Sequence, residues 1–132
     1  MRSHLEFRSA EMSDGEPNDS VATGETVARL VANALPAHGF VVDDIIAEDW
    51  GWCVMIAHDR FPLWIGCGVN PEYSDGHLCF IEPSKPYVRR WFRRIATREV
   101  VERLAVALEQ IISDSGKAHH MRWWNDDEAA RG

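Results

Sequence analysis

The pattern of apolar and polar positions divides the chain into a short series of elements. Val27, Leu30, Val31, Ala34 and Leu35 fall on one side of a helix, with Thr23 as a candidate N-cap and Pro36 and Gly39 as the stop. Residues 40–47, rich in Val and Ile, predict a first strand that ends in Glu48-Asp49. Residues 50–58, 61–69 and 77–82 predict three more, each short, apolar and bounded by turn residues. The connections are too short to hold a crossover helix, so the four strands form an antiparallel meander. After Pro83 the period changes. Pro86 opens a predicted short helix with Val88, Trp91, Phe92 and Ile95 on one side, and Thr97 caps a longer one over residues 98–114. The stripe Val100, Val101, Leu104, Ala105, Leu108, Ile111, Ile112 is the strongest periodic signal in the chain, and Gly116 stands where the helix should stop. Residues 119–124 suit a last strand at the sheet edge. The expected fold is a two-layer α+β sandwich, α-β-β-β-β-α-α with a closing strand.

A chain of 132 residues fits one domain, and 45% apolar residues with six Trp suffice for a core. The polar run Glu11, Asp14, Gly15, Glu16, Pro17, Asn18, Asp19 suggests that residues 1–20 are a disordered leader. Residues 21–125 are then the domain and 126–132 a polar tail. No apolar stretch suits a secretory signal or a bilayer span, so a cytoplasmic location is expected. Three cysteines without a C-x-x-C pair argue against a disulfide framework. A net charge of −7 disfavours general affinity for nucleic acid or anionic membrane.

Turn lengths suggest strand registers, and these set what each sheet face carries. A turn at Asp59-Arg60-Phe61 places Cys53 opposite Cys67, and pairing Val69 with His77 places Cys67 opposite Cys79. The three thiols then form one row. Strands lie ~4.8 Å apart, so the row spans ~10 Å and cannot wrap a tetrahedral ion; core packing suits small Cys side chains better. The opposite face would carry Trp52, Val54, Ile56, Trp64, Leu78 and Phe80 around Gly66 and Gly68, an apolar surface with a trough along its centre.

Charge adds a second candidate surface. Lys85, Arg89, Arg90, Arg93, Arg94, Arg98 and Arg103 face only Glu99 and Glu102 within residues 85–103, with Tyr87, Trp91 and Phe92 interleaved. On a helix the arginines take the polar side and the aromatics the core. Such a face can meet solvent, an anionic protein, this chain's own Asp43, Asp44, Glu48 and Asp49, or single-stranded nucleic acid. His58, His77 and one of His119 or His120 offer zinc ligands only if the last strand brings them together, and adjacent histidines on a strand point to opposite faces. Glu48, Asp49 and Asp59 lie at strand ends without a fixed partner. G-x-S-x-G, phosphate-loop, H-E-x-x-H and Rossmann patterns are missing, so no catalytic residue, metal or cofactor is assigned.

The strings Glu48-Asp49-Trp50-Gly51-Trp52 and Leu63-Trp64-Ile65-Gly66-Cys67-Gly68, with the closing Arg122-Trp123-Trp124, resemble a group of small proteobacterial α+β proteins. That resemblance spans residues 40–124 and implies the same fold, and it brings no catalytic residues with it. In size and charge the chain also resembles bacterial immunity proteins, which act by binding. The expected function is therefore non-enzymatic protein binding or self-association, through Trp52, Trp64, Gly66, Gly68 and Phe80, through Arg89, Arg90, Arg93 and Arg94, or through both. A small enzyme or metal site using strand-end histidines and acids is the alternative, and nucleic-acid binding through residues 85–103 the third.

Overall fold

The computed structural model describes residues 1–14 and 23–125. Along the chain run β1 (Arg2–Arg8), α1 (Glu25–Ala34), a 3-10 turn (Leu35–His38), β2 (Val42–Glu48), β3 (Gly51–Ile56), β4 (Leu63–Val69) and β5 (Gly76–Glu82). Then come β6 (Tyr87–Arg90), β7 (Arg93–Ala96), α2 (Arg98–Asp114) and β8 (His119–Asn125). Six strands form one antiparallel sheet in the order β2-β3-β4-β5-β1-β8, while β6 and β7 form a separate hairpin. The α+β class, the β2–β5 meander and the closing strand agree with the sequence reading.

Both α-helices pack on the same side of the sheet. Val27 and Val31 of α1 and Leu104, Leu108, Ile111 and Ile112 of α2 meet Leu5, Phe7, Val54, Ile56, Leu63, Ile65, Cys67, Cys79 and Ile81 from the strands. Each element shows this face by its own period, one residue in two along the strands and three to four apart along the helices. The apolar stripe of α2 is buried as its spacing requires.

The leader is the first correction. Residues 2–8 are a strand, placed between β5 and β8 and hydrogen-bonded to both. Ser3, Leu5 and Phe7 are buried, and His4 and Glu6 alternate with them. The acidic run over 11–19 dominated the composition and concealed this short period-two pattern. Part of the remaining leader has a local role. Asp14 accepts hydrogen bonds from the backbone N–H groups of Gly24 (2.7 Å) and Thr26 (2.8 Å), so it caps α1 from outside the helix. Gly24, not Thr23, occupies the N-cap, with φ 107° and no room for a Cβ against the Cys67 carbonyl. The rest of the proposed leader and the polar tail lie outside the described residues.

The second correction concerns residues 86–95, which form a hairpin and not a helix. Arg89 pairs with Arg94 and Arg90 with Arg93, while Val88 pairs with Ile95 and turns toward the core. A helix here would stack like charges at Arg89/Arg93 and Arg90/Arg94 over only two or three turns, too short to sustain itself. The base of the hairpin is tied instead. Thr97 N–H donates to the Pro86 carbonyl (3.0 Å), and its hydroxyl donates to that of Lys85 (2.5 Å). Thr97 thus holds the hairpin closed without capping α2 through its side chain.

The third correction is a register. Cys53 pairs with Gly66, and Trp52 with Cys67, one residue away from the expected alignment. Cys67 does pair with Cys79, with 3.9 Å between the sulfur atoms. Because side chains alternate, the slip moves Cys53 to the far face and brings Trp52, Val54 and Ile56 to the helix face. The predicted three-cysteine row does not form.

Candidate binding surface

On the side away from the helices, the register brings Ile46, Cys53, Met55, Trp64, Leu78, Phe80, His4 and Trp124 to one surface. No helix covers it. Of the expected binding residues, Trp64, Gly66, Gly68 and Phe80 lie here. Trp52 does not: it packs partly buried against the helix layer, with the Arg29 guanidinium 5.8 Å from its ring centre.

The expected trough is filled. Phe80 lies over Gly66, where any Cβ would collide with its ring. Trp64 meets Phe80 edge-on at 5.5 Å, and Trp50 leans from the β2–β3 turn onto both, at 5.1 Å from Phe80 and 6.1 Å from Trp64. His4 stacks on Phe80 from the next strand at 5.8 Å. The result is a continuous aromatic patch of rings inclined to one another. Trp50 is 45% exposed although it is part of the cluster. The sequence reading began a strand at Trp50 without naming it as a binding residue, whereas the structure places it in the turn before β3, and the leader assignment hid His4.

Carboxylates surround this patch. Asp44 and Glu48 stand on β2, Glu6 on β1 and Glu82 on β5, all by register on the open face, against Arg122 and against Arg8, which is paired with Asp75. Glu48 lies close enough to Cys53 to help raise its thiol pKa, although burial is the larger cause. Arg122 is stacked on Trp124 at 4.8 Å.

The hairpin projects from the end of the sheet where β3 turns into β4. At its tip Trp91 is 89% and Phe92 100% exposed, the reverse of the expected burial. Trp91 adopts φ 59°, the positive value that a primed hairpin turn needs at its first position but that a bulky side chain seldom takes. Both opposed arginine pairs add like-charge repulsion to a two-stranded ribbon that is marginal by itself. Arg94 stacks on Tyr87 at 4.2 Å, and Arg90 donates to the Asp59 carbonyl at 3.3 Å. Two clefts of about 630 Å³ flank the hairpin. Arg60, Arg90, Trp91, Phe92, Arg93 and Arg94 line one without any carboxylate. The other runs between Arg89–Arg90 and the β3–β4 turn to Trp64 and Glu82 of the open face.

The histidines do not converge. His58 follows the end of β3 near Leu63, whereas His77 pairs with Val69 at the far end of β4, some ~20 Å away at ~3.3 Å per residue. His77 is buried, stacked on Phe7, and Nε2 donates to the Ser9 carbonyl at 2.8 Å. His119 and His120 are exposed, and a positive φ at His120 breaks the strand alternation, so their rings lie side by side at 4.8 Å. Among the described residues no group of three His, Cys, Asp or Glu side chains is placed to hold a metal ion. The Cys67 thiol is held well above its ordinary pKa by the hydrogen bond with Cys79 and by burial, conditions unsuited to a nucleophile. No helix among the described residues is long and apolar enough to cross a membrane. No protein-family model, curated protein or solved structure matches the chain.

Proposed function

We propose that this protein is a non-enzymatic binding module that docks onto a protein surface through the hairpin Tyr87–Ala96. One observation carries the reading: Trp91 and Phe92 stand in solvent at the tip of a ribbon bearing four arginines. Two adjacent large apolar side chains exposed in this way are uncommon unless something covers them. Trp and Arg are also the residues that most often dominate protein interfaces. The hairpin breaks several local rules at once, with opposed like charges and a positive φ at Trp91, and such conflicts concentrate at functional sites. The matching partner offers an apolar patch for the tip and carboxylates for the arginines.

Affinity capture from the native host at physiological salt tests this, comparing the natural chain with a Trp91→Ala/Phe92→Ala variant. The tip rings bury little surface within the fold, so the variant keeps its thermal midpoint while losing a near-stoichiometric protein partner. Equal capture by both chains removes the hairpin from the contact.

A second reading has its own support. The cleft lined by Arg60, Arg90, Arg93 and Arg94 beside Trp91 and Phe92 has the basic and stacking groups that grip single-stranded nucleic acid. That reading predicts oligonucleotide affinity that falls steeply as salt rises.

A further inference from the structure

We propose that the surface the hairpin recognises is the open sheet face of a second copy of this chain. The inference rests on the hairpin being the contact element and names its partner. Two features of the fold are unusual in isolation and complementary together. The hairpin is an aromatic knob within a basic collar: Trp91 and Phe92 flanked by Arg89, Arg90, Arg93 and Arg94. The open face is an aromatic patch within an acidic surround: Trp50, Trp64 and Phe80 amid Asp44, Glu48, Glu6 and Glu82.

The apolar parts match in kind, and four arginines meet a face whose carboxylates outnumber its cations. Opposite potentials steer the encounter and select orientation, while burial of the rings supplies the attraction. Filling of the trough by Phe80 favours a broad contact over capture of a small aromatic molecule. The hairpin stands at one end of the sheet, beside Trp64 and Glu82, so it is contiguous with its own copy's face. Two chains that exchange hairpins then bury both exposed aromatic groups in one closed pair, with each contact made twice about a two-fold axis.

Sedimentation of the purified full chain over a wide concentration range, at low and physiological salt, reads the association. The natural chain should dimerise, and more weakly as salt rises. Trp91→Ala/Phe92→Ala should weaken it at least about tenfold. Reversing the hairpin charge (Arg89→Glu/Arg90→Glu/Arg93→Glu/Arg94→Glu) should give a monomer. So should reversing the β2 side of the face (Asp44→Lys/Glu48→Lys), where both carboxylates are exposed on an edge strand. An equimolar mixture of the two reversed chains should associate again, because the acidic hairpin of one meets the basic face of the other, and the natural hairpin and natural face meet in turn. Circular dichroism identifies any variant that fails to fold, and recovery in the mixture cannot come from an unfolded chain.

A natural chain that stays monomeric throughout overturns the proposal. If Trp91→Ala/Phe92→Ala nevertheless abolishes capture of another protein, or weakens oligonucleotide binding, the hairpin remains a contact element and only its partner changes. Dimerisation that ignores every hairpin and face variant overturns both this proposal and the role of the hairpin in self-recognition.

Discussion

The Phe80 ring lies over Gly66, one strand away, in the space that a side chain on Gly66 would occupy. This pair turns the open face from a groove into a platform, since Trp50, Trp64 and His4 all arrange themselves on Phe80. Gly66→Ala should therefore push Phe80 off the sheet and cost about 1–3 kcal/mol, the usual penalty for overpacking. Phe80→Ala removes the obstacle, so the double variant should be less destabilised than the two single costs added together. Urea unfolding of all four chains measures the coupling, and strict additivity would mean that the ring does not depend on the glycine.

Asp14 serves as a helix cap at a distance, and its carboxyl shows it. Burial alone would raise its pKa, but hydrogen bonds from the Gly24 and Thr26 backbone prevail and hold it below the ordinary value. The folded protein thus binds this proton more weakly than the unfolded chain. The contribution is complete above the unfolded pKa of about 3.9 and fades as pH falls through the lower folded value. Asp14→Ala should cost about 1 kcal/mol near neutral pH. Comparing the two chains from pH 6 downward, the gap should close below about pH 3.9; a gap that stays constant to strong acid contradicts the capping role.

The thiols of Cys67 and Cys79 face each other inside the core, 3.9 Å apart, and Cys53 lies buried on the opposite side of the sheet. The Cys79 contact and burial hold the Cys67 thiol well above its ordinary pKa, and burial raises that of Cys53. A thiol reagent near pH 8 should react slowly with the native protein and rapidly with all three cysteines once denaturant is added. A fast native reaction would place at least one thiol at an accessible site, contrary to the packing described here.

Leu5 and Phe7 decide whether the first strand is integral to the fold. Both side chains are fully buried between the sheet and its helices. Leu5→Ala and Phe7→Ala should each destabilise by about 2–5 kcal/mol. Trp91→Ala, on the exposed tip, should stay within about 0.5 kcal/mol when both chains are melted dilute, as monomers. Thermal melts of the three chains check the contrast, and a mild effect at Leu5 would mean that β1 is dispensable.

Much of the architecture was legible in the sequence because it depends on local period. The stripe from Val100 to Ile112 can bury itself only as a helix, and the short runs ending at Glu48, Val69 and Glu82 can only be strands. Trp64, Gly66, Gly68 and Phe80 were rightly placed on a common surface, since their shared parity survived the register slip. Trp52 was not, because it belongs to the strand on the other side of that slip, where one residue exchanges the two faces.

Only the tertiary structure decided what pairs with what. Residues 2–8 gain a strand because β5 and β8 supply hydrogen bonds on both sides, a condition set by residues some 70 to 120 positions away. Residues 87–96 form a ribbon because Thr97 closes its base and Val88 and Ile95 reach the core, leaving Trp91 and Phe92 outside. Local sequence determines the period with which a segment buries its side chains. Register, sheet order and the choice of covered face depend on contacts between distant segments, and for this protein those contacts placed the aromatic patch and the arginine hairpin on the surface.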